Sequence, residues 1–151
     1  MLPNIYEKQT VDELIARLNL LTSYKNPQWG KMNVAQMLAH CNVTYEMAFE
    51  KIHKKPNGLK RWILIKLVKP IVTNEKPYKK NSGTAPEFKV SSSQKFDIEK
   101  QRLIEYLEKT ATLGTIYFDG KESLSFGKLS TQEWNNMFYK HLDHHLSQFG
   151  V

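Results

Sequence analysis

The stretch from Trp134 to Gly150 reads WNNMFYKHLDHHLSQFG and has the pattern of one amphipathic α-helix. At about 100° per residue, its large apolar side chains fall on one side of the helix. These are Trp134, Met137, Phe138, Leu142, Leu146 and Phe149. His141 and His145 lie within this stripe, and His144 lies at its edge. Because residues four apart share a helix face, both imidazoles can reach one metal ion, but a third ligand must come from elsewhere.

Three other stretches have the same helical periodicity of apolar residues. Together with the C-terminal stretch, they predict helices over residues 10–24, 33–51, 94–110 and 131–148. Three of these starts carry a capping-box pattern, in which two side chains bond the free backbone N–H groups of the first turn. The pairs are Thr10 with Glu13, Asn33 with Gln36, and Ser130 with Glu133. Four amphipathic helices in a single domain over residues 1–151 predict an all-α fold, a four-helix bundle.

A long connection separates the second and third predicted helices. It is predicted to hold a short helix over Leu59–Lys69, ended by Pro70, and an irregular stretch over Asn74–Ser93. A crossover of this length lets the second and third helices run in the same direction, so the predicted order is up-down-down-up. The segment Gly114–Gly127 is predicted to be a loop anchored by aromatic residues, namely Tyr117, Phe118 and Phe126.

The composition favours a cytoplasmic protein. The lone cysteine, Cys41, excludes an internal disulfide framework, and its place in the apolar stripe of the second helix predicts a buried, inert thiol. The N-terminus lacks the charged start and apolar run of a signal peptide. The most apolar window, Trp62–Val72, is much shorter than the roughly 20 residues of a membrane span. We therefore expect no membrane partner.

The positive charge is concentrated in the connection. The chain carries a formal net charge of +7, and residues 51–80 alone contain ten Lys or Arg and one acid, Glu75. Nucleic acid could bind such a segment, but no recognition motif accompanies the charge, so a solvated connection is the favoured interpretation. Apolar residues and lysines alternate all round Leu59–Lys69. A helix on a membrane surface separates the two kinds, so this one is predicted to cover an end or side of the domain.

His40 is the candidate third metal ligand. It lies on the shoulder of the apolar face of the second helix. Three neutral imidazoles suit Zn²⁺, Ni²⁺ or Fe²⁺ and leave a position for water or substrate. Asp143 and Glu46 could orient a ligand imidazole, but a solvated surface carboxylate is the favoured interpretation of each. The alternative for the histidines is a partly buried pair that is hydrogen-bonded without metal.

Three segments resemble the DinB-like superfamily, most closely a bacterial branch known as a domain of unknown function. They are WGKMNVAQMLAHC at 29–41, FGKLSTQEW at 126–134 and KHLDHHLSQFG at 140–150. The resemblance implies a four-helix bundle with up-down-down-up topology. It also implies a divalent metal held by one histidine of the second helix and two of the fourth, which map onto His40, His141 and His145. Some members are transferases or isomerases that use low-molecular-weight thiols such as bacillithiol or mycothiol.

These observations give a leading interpretation and an alternative. The first is a metal-binding DinB-like protein that acts as a metal- and thiol-dependent transferase, or as a hydrolase, on a small-molecule substrate. The second is a non-enzymatic binding or stress-response protein. The alternative gains weight because related sequences tend to carry His-Pro before FGKL, where this chain has Ser123, Leu124 and Ser125. The resemblance also implies a homodimer, for which the aromatic residues of the 114–127 loop could supply a patch or could instead pack on the core.

Overall fold

A computed structural model describes residues 1–151 and shows a mostly helical protein, as predicted. The six α-helices are α1 (Lys8–Asn19), α2 (Val34–Phe49), α3 (Gly58–Ile63), α4 (Lys69–Thr73), α5 (Phe96–Phe118) and α6 (Thr131–Gln148). A π-helical turn, Leu64–Val68, joins α3 to α4, and a 3₁₀ turn covers Pro86–Phe88. The two short strands are β1 (Glu122–Ser123) and β2 (Gly127–Lys128). None of the helices has the length and apolar character needed to cross a membrane.

The capping boxes explain where two of the main helices begin. Asn33 and Ser130 accept hydrogen bonds from the backbone N–H groups of Gln36 and Glu133, whose side chains bond back, so both predicted boxes are confirmed. The box predicted at Thr10 is wrong, because α1 begins at Lys8 and Thr10 is buried inside it. The earlier start is stabilised by pairs four residues apart, Lys8 with Asp12 and Gln9 with Glu13. α1 also ends at Asn19, short of the predicted Tyr24.

The connection is more helical than predicted, since Pro70 does not end its helix. The last bond of the π-helical turn is donated by the Lys69 N–H to the Leu64 carbonyl. Pro70 then stands in the first turn of α4, where a missing N–H breaks no helical bond. α4 packs against α6. The ammonium of Lys140 in α6 is buried and donates to the carbonyls of Ile71 and Asn74, which closes the C-terminal end of α4.

α5 extends beyond the predicted 94–110, because Gly114 changes its direction rather than ending it. Gly114 has φ 65° and ψ −172°, and the following turn carries Phe118 into the core. The rest of the predicted loop is an antiparallel hairpin that pairs Glu122 with Lys128. Phe118 is fully buried and Phe126 packs against the core, so neither is available for a dimer patch.

Most of the apolar core comes from α1, α2, α5 and α6. The rings of Tyr45 and Phe138 stack at a centroid distance of 4.7 Å, which joins α2 to α6 at the centre of the cluster. Cys41 is buried as predicted, and burial raises the pKa of its thiol, so the thiol stays protonated. The core therefore fixes the positions of α2, which carries His40, and α6, which carries His141 and His145.

Side-chain contacts between the long helices follow a regular order along the sequence. Between α2 and α5, the partners rise together along both helices: Asn42 with Glu99, Glu46 with Arg102, and Glu50 with Tyr106. Between α1 and α6 they also rise together: Tyr6 with Thr131 and Arg17 with Asp143. Between α2 and α6 the order reverses, since His40 contacts His145 while Tyr45 contacts Phe138.

Candidate metal centre

Three histidines from two helices meet at one point in the structure. They are His40 of α2 and His141 and His145 of α6, which are the residues that the sequence singles out. One ring nitrogen from each lies within 4.8 Å of the other two. The Nε2 atoms of His40 and His141 are 2.9 Å apart. His40 and His145 are buried, and His141 is partly buried.

The other ring nitrogen of each histidine is held by the surrounding protein. Nδ1 of His40 donates to the Phe88 carbonyl at 2.9 Å, and Nδ1 of His145 donates to Oε1 of Gln148 at 2.8 Å. The hydroxyl of Thr44 lies 3.0 Å from Nδ1 of His141. A neutral imidazole that donates through Nδ1 keeps a free lone pair on Nε2. The outer bonds therefore direct the Nε2 lone pairs of His40 and His145 into the cluster.

The orientation of Gln148 is itself fixed. Its Nε2 donates to the Trp29 carbonyl at 2.6 Å, which leaves Oε1 facing His145. Gly30, the next residue, has φ +83°, and a Cβ there would lie 2.5 Å from Nε2 of Gln148. A glycine is therefore needed both for the backbone conformation and for the close approach of the amide. The tautomer of His145 depends on a loop that is far from α6 in the sequence.

The cluster could hold a cation at the contact between His40 and His141. Two nitrogen lone pairs that face each other at 2.9 Å repel, unless a proton or a metal ion lies between them. Without metal, His141 satisfies this contact by carrying its proton on Nε2 while Thr44 donates to its Nδ1. If a metal ion were bound at Nε2, the proton of His141 would be on Nδ1 and the Thr44 hydroxyl would accept a hydrogen bond from it. The hydroxyl can serve either tautomer, so the residues present fit a divalent ion.

Burial keeps the three histidines in the neutral form that binds metal. Burial lowers the pKa of His40 and lowers that of His141 well below its ordinary value, with the neighbouring imidazoles as a further cause at His141. The pKa of His145 falls to about 3, mainly through burial and then through His40. At neutral pH all three rings are therefore uncharged and need not lose a proton before they bind a metal ion.

These shifts predict how the metal-free protein responds to acid. Since the folded pKa values lie below the unfolded value of about 6.5, the unfolded chain binds more protons below that pH, and stability falls as the pH drops. Each histidine that stays neutral in the folded protein should cost about 1 kcal/mol per pH unit below about pH 6. Urea unfolding in the presence of a chelator, at about pH 7.5 and about pH 5.5, measures the difference. His145→Gln should reduce the slope, and equal stabilities at the two pH values would contradict the expectation.

The carboxylates that were candidates to orient the histidines are used elsewhere. Asp143 pairs with Arg17 at 2.8 Å. Glu46 pairs with Arg102 at 2.6 Å and with His53 at 2.7 Å. Neither carboxylate therefore orients an imidazole of the cluster, and Glu46 is buried rather than solvated. Both carboxylates lie beside cations, and a charge partner stabilises a carboxylate more than a neutral ring does.

The groups that do hold the rings were missed in the sequence. Gln148 is three residues after His145, and Thr44 is four residues after His40, so both lie one helical turn from a candidate ligand. For Gln148 that spacing is a usable signal, because it bonds His145, whereas Thr44 bonds His141 of the other helix. The Phe88 carbonyl had no such signal, because a backbone atom in a long connection carries no mark in the sequence. His144 lies outside the cluster as expected, with its ring beside Trp29 and Tyr78.

A comparison with family models finds a match that spans nearly all of the folded chain. The model of a family described as "Protein of unknown function (DUF1569)" matches residues 6–150, a range that includes the three histidines and the groups that hold them. No curated protein and no solved structure matches the chain. The match to the family model covers almost the entire sequence. The chain therefore belongs to the DUF1569 family.

Proposed function

We propose that the chain binds one divalent metal ion through His40, His141 and His145. The observation that carries this proposal is that a protein group outside the cluster is hydrogen-bonded to Nδ1 of each ring, which leaves Nε2 of each ring for the centre. Such bonds fix the ring orientation and tautomer of a ligand histidine. Three imidazole nitrogens suit Zn²⁺, Ni²⁺ or Fe²⁺ and leave a position for a further ligand.

We also infer that this DUF1569 chain is a DinB-like four-helix bundle in one domain over residues 1–151. The resemblance of the three sequence segments supports this inference. So does the order of contacts, because partners that rise together along α2 and α5 are expected for helices that run in the same direction. The reversed order between α2 and α6 is expected for antiparallel neighbours. Both fit an up-down-down-up bundle whose crossover is the connection between α2 and α5.

The activity that we favour is a metal- and thiol-dependent transfer or hydrolysis on a small-molecule substrate. A bound divalent ion lowers the pKa of a thiol or water in its remaining position. The residues around this position would decide which molecules reach the ion. His141 is the partly exposed member of the cluster, and the rings of Phe88 and Tyr78 lie 6.0 and 6.5 Å from it. These two aromatic side chains would flank a thiol that enters from solvent. A bacterial thiol such as bacillithiol or mycothiol fits this role through the DinB-like resemblance.

The alternative is a non-enzymatic binding or stress-response protein that uses the same ion. Ser123, Leu124 and Ser125 stand in place of the His-Pro of related sequences, and the lack of that histidine favours this alternative. Both readings share the metal centre and differ only in whether a thiol reacts there.

Metal analysis and thiol titration test the proposal in two steps. Protein purified without a histidine tag should carry close to one divalent ion per chain, and the apo protein should regain one on titration. Co²⁺-loaded protein should change its visible spectrum when a small thiol is added, whereas apo protein should not respond. Loading without a thiol response supports the non-enzymatic alternative. Failure to load any of the three metals would refute the centre itself.

A further inference from the structure

The helical connection over residues 58–73 has two different faces. Its inner face lies on the domain and carries Arg61, Leu64, Ile65, Val68, Lys69 and Val72. Arg61 pairs with Glu122 at 2.7 Å and Lys69 pairs with Glu133 at 2.9 Å. At the edge, Lys60 pairs with Glu87. Thus three of the four cations of this segment are held by acids of the protein itself, an arrangement that the mixed sequence pattern did not predict.

The outer face exposes large apolar side chains. Leu59 is 73% exposed, Trp62 58%, Ile63 41%, Leu67 64% and Ile71 58%. Their spacing of three or four residues places them along one side of the segment. Together they form a large exposed apolar patch, a kind of surface that often marks an interaction site on a soluble protein. A surface of this size and composition indicates a binding partner.

Exposed lysines without a carboxylate partner occur within this segment and on both sides of it in the sequence. Residues 51–80 carry a net charge of +9. The lysines in this range that are exposed and have no carboxylate partner are Lys51, Lys54, Lys66, Lys76, Lys79 and Lys80. Lys66 lies on the outer face itself, between Ile63 and Leu67. The partner must therefore accept apolar side chains and at the same time attract positive charge.

We propose that the outer face of residues 58–73 docks onto an anionic phospholipid surface. Leucine, isoleucine and tryptophan side chains enter the boundary between headgroups and acyl chains, and nearby lysines bind lipid phosphates. A second copy of the chain is a poorer fit, because a symmetric contact would bring two strongly basic segments together. Nucleic acid would use the lysines but would leave five apolar side chains in water. The inner pairs to Glu122 and Glu133 hold the segment on the domain, so the protein would lie on the membrane without crossing it.

Vesicle co-sedimentation of the full chain tests this proposal. The probe is vesicles of mixed phosphatidylcholine and phosphatidylglycerol, with pure phosphatidylcholine as the neutral comparison. The protein should bind the anionic vesicles, bind the neutral ones weakly, and lose affinity as salt rises. Leu67→Glu should weaken binding about tenfold or more, because it places a carboxylate in the inserted face.

The matched control is Leu20→Glu. Leu20 is 63% exposed, against 64% for Leu67, and it follows α1 rather than the connection. This variant should bind anionic vesicles within about twofold of the unchanged protein. The proposal is wrong if the unchanged protein does not bind anionic vesicles, or if Leu67→Glu and Leu20→Glu bind them equally. It is also wrong if sedimentation shows a dimer that Leu67→Glu dissociates. Binding of DNA or RNA by the protein without binding of anionic vesicles would contradict it as well.

Discussion

His141→Ala should weaken divalent-metal binding by about a hundredfold or more, because only two imidazoles then remain and one ring of the 2.9 Å contact with His40 is lost. Calorimetric titration of the apo protein with Zn²⁺ measures the change. Far-UV circular dichroism of the same sample checks that the helices are intact.

His144→Ala is the matched control for this experiment. His144 is on the same helix, but its ring packs against Trp29 and Tyr78 outside the cluster. Its removal should change affinity by about threefold at most. If His144→Ala abolished binding while His141→Ala preserved it, the proposed ligand set would be wrong. If neither variant changed the affinity, the histidines would be structural.

Phe138→Ala should lower the free energy of unfolding by about 4 kcal/mol. The Phe138 ring is 1% exposed, stacks on Tyr45 and meets the edge of Phe118, so its loss leaves a cavity between α2 and α6. These are the two helices that supply the histidines, and the variant should therefore also bind metal less tightly. Urea unfolding followed by circular dichroism gives the loss of stability directly.

Two control variants change an aromatic side chain without opening a cavity in the core. Tyr24→Ala removes an aromatic ring that is 82% exposed and should alter stability by about 0.5 kcal/mol or less. Tyr45→Phe should be neutral or stabilising by about 1 kcal/mol, because the buried Tyr45 hydroxyl has no hydrogen-bond partner in the protein. A Phe138→Ala loss no larger than that of Tyr24→Ala would contradict the central place of this ring in the core.

Helix periodicity could be predicted because it is a local property. The stripe around Trp134, Phe138 and Leu142 sets the buried face of α6, and the boxes at Asn33 and Ser130 set the starts of α2 and α6. The ends of the helices were less predictable. Pro70 continues a helix only because a π-helical turn precedes it, and a π-helical turn has no clear local signature. Likewise, the burial of Thr10 against the core overrides its preference for a helix cap.

The three histidines of the candidate metal centre could be predicted from the sequence, but the groups that hold their rings could not. Histidines four residues apart mark one helix face, and the family motif pointed to His40. The outer partners depend on tertiary contacts, such as the Phe88 carbonyl, which meets His40 across 48 residues. The ion pairs of Glu46 and Asp143 could not be predicted for a related reason. Their charge partners, Arg102 and Arg17, lie on other helices and become neighbours only when the helices pack.

The bend at Gly114 bears on which substitutions this chain tolerates. No atom lies within 4 Å of the position where a Cβ would stand, so steric crowding places no limit on a side chain there. The backbone at φ 65° and ψ −172° is nevertheless a conformation that essentially only glycine adopts. Position 114 is therefore open in space but closed to other residue types. Sequence variation at this position is limited by the path of the backbone into the Phe118 turn, a constraint that a map of side-chain contacts would not reveal.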